Sequence, residues 1–184
     1  MITGSVVEML ARNAFQIRAS VQGTTGPDAD GLHHEGFRAG VVVVSCSDPR
    51  LNPYQILGID QTLKATMVRN AGGRVFDALR TLAVLQTIGS PGTIVVMPHT
   101  NCGVTHFHDS KIRGALSELA PTDKTAIEAT NFGEIKGSIE ESVIEDLEIL
   151  RASPWIKKST QLIGLKYDID TGKLEVVGEE QAQL

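Results

Sequence analysis

Apolar residues in this chain fall into short unbroken runs, separated by stretches in which they recur every three or four positions, the alternation expected of an α/β protein. Val41 to Val44 is a β-branched run between Gly40 and Pro49, the pattern of a strand buried on both faces, and it leads into Cys46. Ala65 to Val68 is a second run, ahead of Arg69-Asn70-Ala71-Gly72-Gly73, whose paired glycines predict a tight loop. Thr93 to Met97 is a third, ending just before His99. Between the last two, Val75 to Ile88 carries Leu79, Leu82, Ala83, Leu85 and Gln86 at helical spacing, and Gly89-Ser90-Pro91-Gly92 stops it.

Helical spacing also marks Ser5 to Arg18, where Val6, Met9, Leu10, Phe15 and Ile17 form an apolar stripe, as well as Ile112 to Leu119 and Ile139 to Leu150. Pro53 to Leu57 predicts a short helix, and Gln22 to Gly36, rich in Gly, Asp and His, predicts a loop. Near the end, Gln161 to Tyr167 alternates like a strand, Asp168 to Gly172 reads as a turn, and Lys173 to Val177 pairs back as a hairpin. The resulting order predicts a mainly parallel α/β sheet with an antiparallel edge strand, flanked by helices. A length of 184 residues fits one domain over 1–184, with 1–36 as an N-terminal helical arm and loop.

Composition narrows the function. A formal net charge of -5, with 17 Lys and Arg scattered without basic runs, argues against nucleic acid as a partner. No apolar stretch reaches membrane-spanning or signal-peptide length, so the expected address is cytoplasmic and no membrane partner is expected. Two cysteines allow one disulfide at most, and in a reducing compartment they are better placed as metal ligands or inert thiols.

The two strand endings Cys46-Ser47-Asp48-Pro49-Arg50 and His99-Thr100-Asn101-Cys102-Gly103 carry the chemistry. Ligands bind outside the carboxyl ends of parallel strands where neighbouring connections diverge, so these endings are expected to meet. Cys46, His99 and Cys102 make a Cys₂His set that one Zn²⁺ accepts, leaving a fourth position open. Two thiolates cancel the charge of the ion and weaken its acidifying effect on water. Asp48 would then help by accepting a hydrogen bond from that water, held ionised by Arg50, or would itself enter the fourth position and close the site. Pattern alone leaves open that the cysteines and His99 are merely buried, or that Cys46 and Cys102 form a disulfide. His106 and His108 are candidate proton shuttles, and His33, His34 and Glu35 a weaker second metal cluster.

Taken together and in order, Cys46-Ser-Asp-Pro-Arg50, Arg69-Asn-Ala-Gly-Gly73 and His99-Thr-Asn-Cys-Gly103 resemble the three signature segments of the β-class carbonic anhydrases, most closely over Val41 to Val104. The resemblance implies a sheet in the order 2-1-3-4 with an edge strand, zinc on Cys46, His99 and Cys102, and Asp48 with Arg50 as the catalytic pair. It also implies homodimers or higher homo-oligomers, in which the Ser5 to Arg18 helix lies over a neighbour. Where plant-like members carry a Pro-Gln pair, this chain has Phe37-Arg38-Ala39-Gly40, and its Pro49 and Asn101 are closer to a compact microbial branch that includes carbonyl sulfide and carbon disulfide hydrolases. The expected reaction is hydration of CO2 to bicarbonate by hydroxide held on zinc, with carbonyl sulfide hydrolysis as the alternative and a non-catalytic zinc or redox-sensing role behind both. A small apolar pocket near Val75, Phe76 and Leu79 is expected to take either gas. No dinucleotide or phosphate-loop motif is present.

Overall fold

The computed structural model describes residues 40–59 and 65–180. The helix expected at Ser5 to Arg18, the loop at Gln22 to Gly36 with His33, His34 and Glu35, and Phe37 to Ala39 lie outside the described residues.

Five strands form one sheet: β1 (Val41–Cys46), β2 (Ala65–Asn70), β3 (Thr93–Met97), β4 (Gln161–Tyr167) and β5 (Leu174–Glu180). Their order is β2-β1-β3-β4-β5; the first three pairings are parallel, and β5 returns antiparallel along β4. This is the mainly parallel sheet with an antiparallel edge that the sequence predicts, in the order the resemblance implies. Every residue of β1 is buried, which explains a strand whose first four residues are valine. Successive β1 side chains alternate between two cores: Val41 and Val43 pack with Val95, Met97, Ile163 and Leu165 on one face, Val42 and Val44 with Ile94, Val96 and Leu162 on the other.

The helices are α1 (Pro53–Ile56), α2 (Val75–Ile88), α3 (Gly103–His106), α4 (Asp109–Leu119), α5 (Lys124–Ala129) and α6 (Ile139–Ala152). The second core is covered by α2, through Val75, Ala78 and Leu82, and by α6, through Val143, Leu147 and Leu150. α6 starts at a capping box in which the Ser138 hydroxyl accepts the Glu141 N–H and the Glu141 carboxylate accepts the Ser138 N–H. Among the described residues, no helix is long and apolar enough to cross a membrane.

Three expectations need correction. β2 runs on to Asn70 because Arg69 and Asn70 stay in register with Ser45 and Cys46. α4 begins at Asp109, whose carboxylate accepts the Phe132 and Glu134 N–H groups from the segment after α5, and α3 and α5 are too short to print a helical period. Val75, Phe76 and Leu79 do not line a pocket at the strand ends. α2 turns Val75 and Leu79 onto the Val42 and Val44 face of the sheet, and the Phe76 ring sits beside Gly133.

One buried ion pair ties the helix layer together. Arg74, directly ahead of α2, is 4% exposed and donates from Nε to both oxygens of Asp146, which is fully buried on α6, and from Nη2 to Glu145 at 2.6 Å. Burial pushes the Asp146 carboxyl up to about 6, against the pull of Arg74 and the Val75 N–H. The folded state therefore holds a proton on Asp146 more tightly than the unfolded chain does, so stability contributed here is gained as pH falls from about 6 toward 4 and lost as pH rises through that window. Compared with Asp146→Asn by urea unfolding, wild-type protein should gain on the order of 2 kcal/mol between pH 7 and pH 4. A difference that stays flat or runs the other way would show that the pair is fully ionised across the range.

Candidate metal centre

β1 lies between β2 and β3: the chain first moves from it to β2 on one side and then, through α2, to β3 on the other, so the ends of β1 and β3 flank a topological switch point. Ser45 is level with Met97 in the register, so the residues just beyond each strand face one another. Cys46 ends β1, His99 follows β3 by two residues, and Cys102 precedes α3; all three are buried.

Their ligand atoms lie within 4.8 Å of one another, the only such metal-competent group among the described residues. The two sulfurs are 3.7 Å apart and both thiols are free, which removes the disulfide alternative. Two sulfurs bound tetrahedrally to one zinc at ~2.3 Å would stand about 3.8 Å apart. His99 Nδ1 donates to the Thr100 carbonyl at 2.8 Å, which leaves Nε2 as the lone-pair nitrogen, and Nε2 is buried with no hydrogen-bond partner. An orphaned imidazole lone pair facing two thiols, fixed from behind by a carbonyl, is a site a soft divalent ion fits.

One of the two sulfurs is also prepared for negative charge. Cys46 is drawn down, first by the Cys102 thiol that donates to it and then by the Asp48 and Gly72 N–H groups, against the penalty of burial. Cys102 is pushed up because it keeps the shared proton and is buried, with the Val104 N–H acting the other way. A metal ion would replace that proton. The Gly72-Gly73 turn explains itself here: at φ 76° and 69° both residues occupy the left-handed region, and a Cβ on Gly73 would stand 2.8 Å from the Cys46 nitrogen.

Asp48 follows Cys46 in a turn closed by the Leu51 N–H donating to its carbonyl. Arg50 engages both of its oxygens: the Arg50 backbone N–H and Nε donate to Oδ1, each at 2.9 Å, and Nη2 donates to Oδ2 at 2.7 Å. These bonds, the side-chain ones first, hold the Asp48 carboxyl well below the usual carboxylate range. Asp48 Oδ2 lies 3.8 Å from His99 Nε2, so the carboxylate borders the cluster.

Sequence reasoning missed part of this scaffold. Asn70 does brace the glycine turn, accepting the Arg74 N–H at Oδ1 and donating from Nδ2 to the Arg74 carbonyl. Arg69 reaches to the loop after β1: Nε donates to the Cys46 carbonyl at 3.0 Å and Nη2 to the Asp48 carbonyl at 2.7 Å. Asn101 was not singled out for a role, yet its carbonyl accepts Arg50 Nη2 at 3.0 Å. His106 and His108 point elsewhere than the cluster, His106 to Asn101 and His108 to Glu134, at 2.6 Å in the second case.

Comparison with known proteins agrees with this architecture. The family model described as carbonic anhydrase matches residues 41–174. β-Carbonic anhydrase 1 of Mycobacterium tuberculosis is 34% identical over 138 residues, covering 74% of this chain and 81% of that protein. A carbon disulfide hydrolase of Acidianus sp. is 31% identical over 152 residues, covering 72% and 74%. The solved carbonic anhydrase from Glaciozyma antarctica superposes with a TM-score of 0.69 at 28% identity, over 91% of this chain and 94% of that one. Strand order, the paired strand ends and these relatives together establish that the chain belongs to the β-carbonic anhydrase family of enzymes, whose members include carbon disulfide hydrolases.

Proposed function

We propose that the protein is a zinc-dependent carbonic anhydrase that hydrates CO2 to bicarbonate. The observation that carries the reading is the buried triangle of Cys46, Cys102 and an unpartnered His99 Nε2, bordered by an Arg50-fixed carboxylate. Cys46, His99 and Cys102 would hold the ion, which when bound supplies Lewis acidity that makes water a competent nucleophile near neutral pH. Asp48 accepts a hydrogen bond from the attacking water at the oxygen nearest His99 and so turns the water's lone pair toward carbon. A C–O bond forms, one C=O electron pair moves onto oxygen, and the proton leaves for solvent. Arg50 keeps Asp48 ionised and in place; so strongly held a carboxylate orients the water and does not store its proton.

The 31% identity to the Acidianus carbon disulfide hydrolase favours a second reading, in which the same residues direct water onto carbonyl sulfide or carbon disulfide and release hydrogen sulfide. Association of copies of this chain into a dimer or larger homo-oligomer in the cytoplasm belongs to the same proposal.

The test is one preparation of known zinc content, assayed on CO2, carbonyl sulfide and carbon disulfide, with chelator-stripped protein as the blank. Hydration of CO2 that follows zinc content is expected. Turnover confined to a sulfur gas would replace the first reading with the second, and zinc-loaded protein inert on all three would make the site structural.

A further inference from the structure

The loop between His99 and Cys102 is held unevenly. Thr100 is tied to the continuation of β4 on two sides, its N–H donating to the Tyr167 carbonyl at 2.9 Å and its hydroxyl accepting the Ile169 N–H at 3.0 Å. Cys102 is tied to α3, with the Thr105 hydroxyl donating to its carbonyl at 2.7 Å. Asn101, between these anchors, stands in the left-handed region at φ 53°, where asparagine is tolerated but not fixed. Among the described residues, two contacts hold it. His106 Nε2–H donates to Asn101 Oδ1 at 3.0 Å, and Arg50 Nη2 donates to the Asn101 carbonyl at 3.0 Å.

Arg50 Nη2 is the same nitrogen that donates to Asp48 Oδ2 at 2.7 Å. A continuous line of hydrogen bonds therefore runs from His106 through Asn101 and Arg50 to the carboxylate beside His99. Neither His106 nor Asn101 touches the three ligand atoms. We infer that His106 is a positioning residue: by fixing the Asn101 side chain in its left-handed turn, it aims the carbonyl that locks Arg50, and so sets the orientation of Asp48. This differs from a shuttle, because the Nε2 proton is committed to Asn101 and only the angle of Arg50 is transmitted.

The kinetic consequence rests on the proposed role of Asp48; the structural consequence does not. The full-length, zinc-quantified protein is therefore followed in two ways: by solvent exchange of the Arg50 Nε–H in ¹⁵N NMR, its signal identified by loss in Arg50→Lys, and by kcat/KM for CO2. His106→Leu removes the donor, and His106→Gln replaces it with an amide N–H of similar reach. Losing one such bond should speed Arg50 Nε–H exchange and lower kcat/KM by about threefold to tenfold in His106→Leu at unchanged zinc content, with recovery of both in His106→Gln. In an Asn101→Gly background, where glycine keeps the left-handed turn without the side chain, His106→Leu should change neither further.

Unchanged Arg50 exchange in His106→Leu would overturn the inference. So would a kinetic loss of the same size in the Asn101→Gly background, or one reversed by added imidazole, since either describes a proton carrier that works independently of Asn101. Protein inactive on every gas but showing faster exchange in His106→Leu would support the positioning role while sinking the enzymatic reading.

Discussion

Replacing Asp48 with alanine should leave zinc content at wild-type level and lower kcat/KM by at least about a hundredfold, in the range typical of losing the group that orients a reactant. Replacing Cys46 with alanine should abolish zinc binding and activity together. The contrast follows from geometry: Cys46 offers one of the three buried atoms that could hold an ion, whereas Asp48 stands at the border of the cluster, both oxygens engaged by Arg50. Metal analysis and stopped-flow hydration measure the two quantities separately. If Asp48→Ala loses zinc as Cys46→Ala does, the carboxylate is itself a ligand, and its pairing with Arg50 is the alternative state. If Asp48→Ala keeps both zinc and full activity, water is oriented by something else. The Arg50 bonds also place the protonation of Asp48 at strongly acidic pH, so an acid limb in the activity profile above about pH 4 belongs to other groups.

The second large effect is on stability. Arg74→Met should cost about 3–5 kcal/mol at pH 7, because it leaves the Asp146 carboxylate buried on α6 without its partner. For a chain of this length that corresponds to a fall in Tm of roughly 10 °C. Two companion measurements make the cause specific. Lowering the pH to 5 should restore part of the loss, since Asp146 then takes up a proton and no charge remains buried. The double variant Arg74→Met with Asp146→Leu should recover most of it, because an apolar pair of similar volume needs no counter-charge. A loss equal at pH 5 and pH 7, with no recovery in the double variant, would assign the stability to packing of the Arg74 stem against the Phe76 ring, 5.8 Å from the guanidinium.

How much of this was legible in the sequence depended on the range of the interaction. The valine run of β1 and the apolar stripe of α6 announce their burial, because both faces of the strand and one face of the helix must leave water whatever the partner is. The meeting of Cys46, His99 and Cys102 was legible for a different reason: topology alone brings parallel carboxyl ends together. Val75, Phe76 and Leu79 misled because apolar character tells that a residue is buried but not on which side of the sheet. Arg74 with Asp146, Arg69 with the Cys46 and Asp48 carbonyls, and His106 with Asn101 left no local signal. The first two are hydrogen bonds whose partners are chosen by the tertiary fold, 72 residues apart in the first case, and the third, five residues apart, depends on the left-handed turn at Asn101.

The two thiols share one small space yet are 56 residues apart along the backbone. A compact binding motif of the Cys-x-x-Cys kind brings its sulfurs together in an unfolded chain, whereas here β1 and β3 must first pair and the crossover through β2 and α2 must close. The chain offers this full donor set only after it has acquired the correct topology, so a metal ion bound by all three side chains would report that the protein had folded.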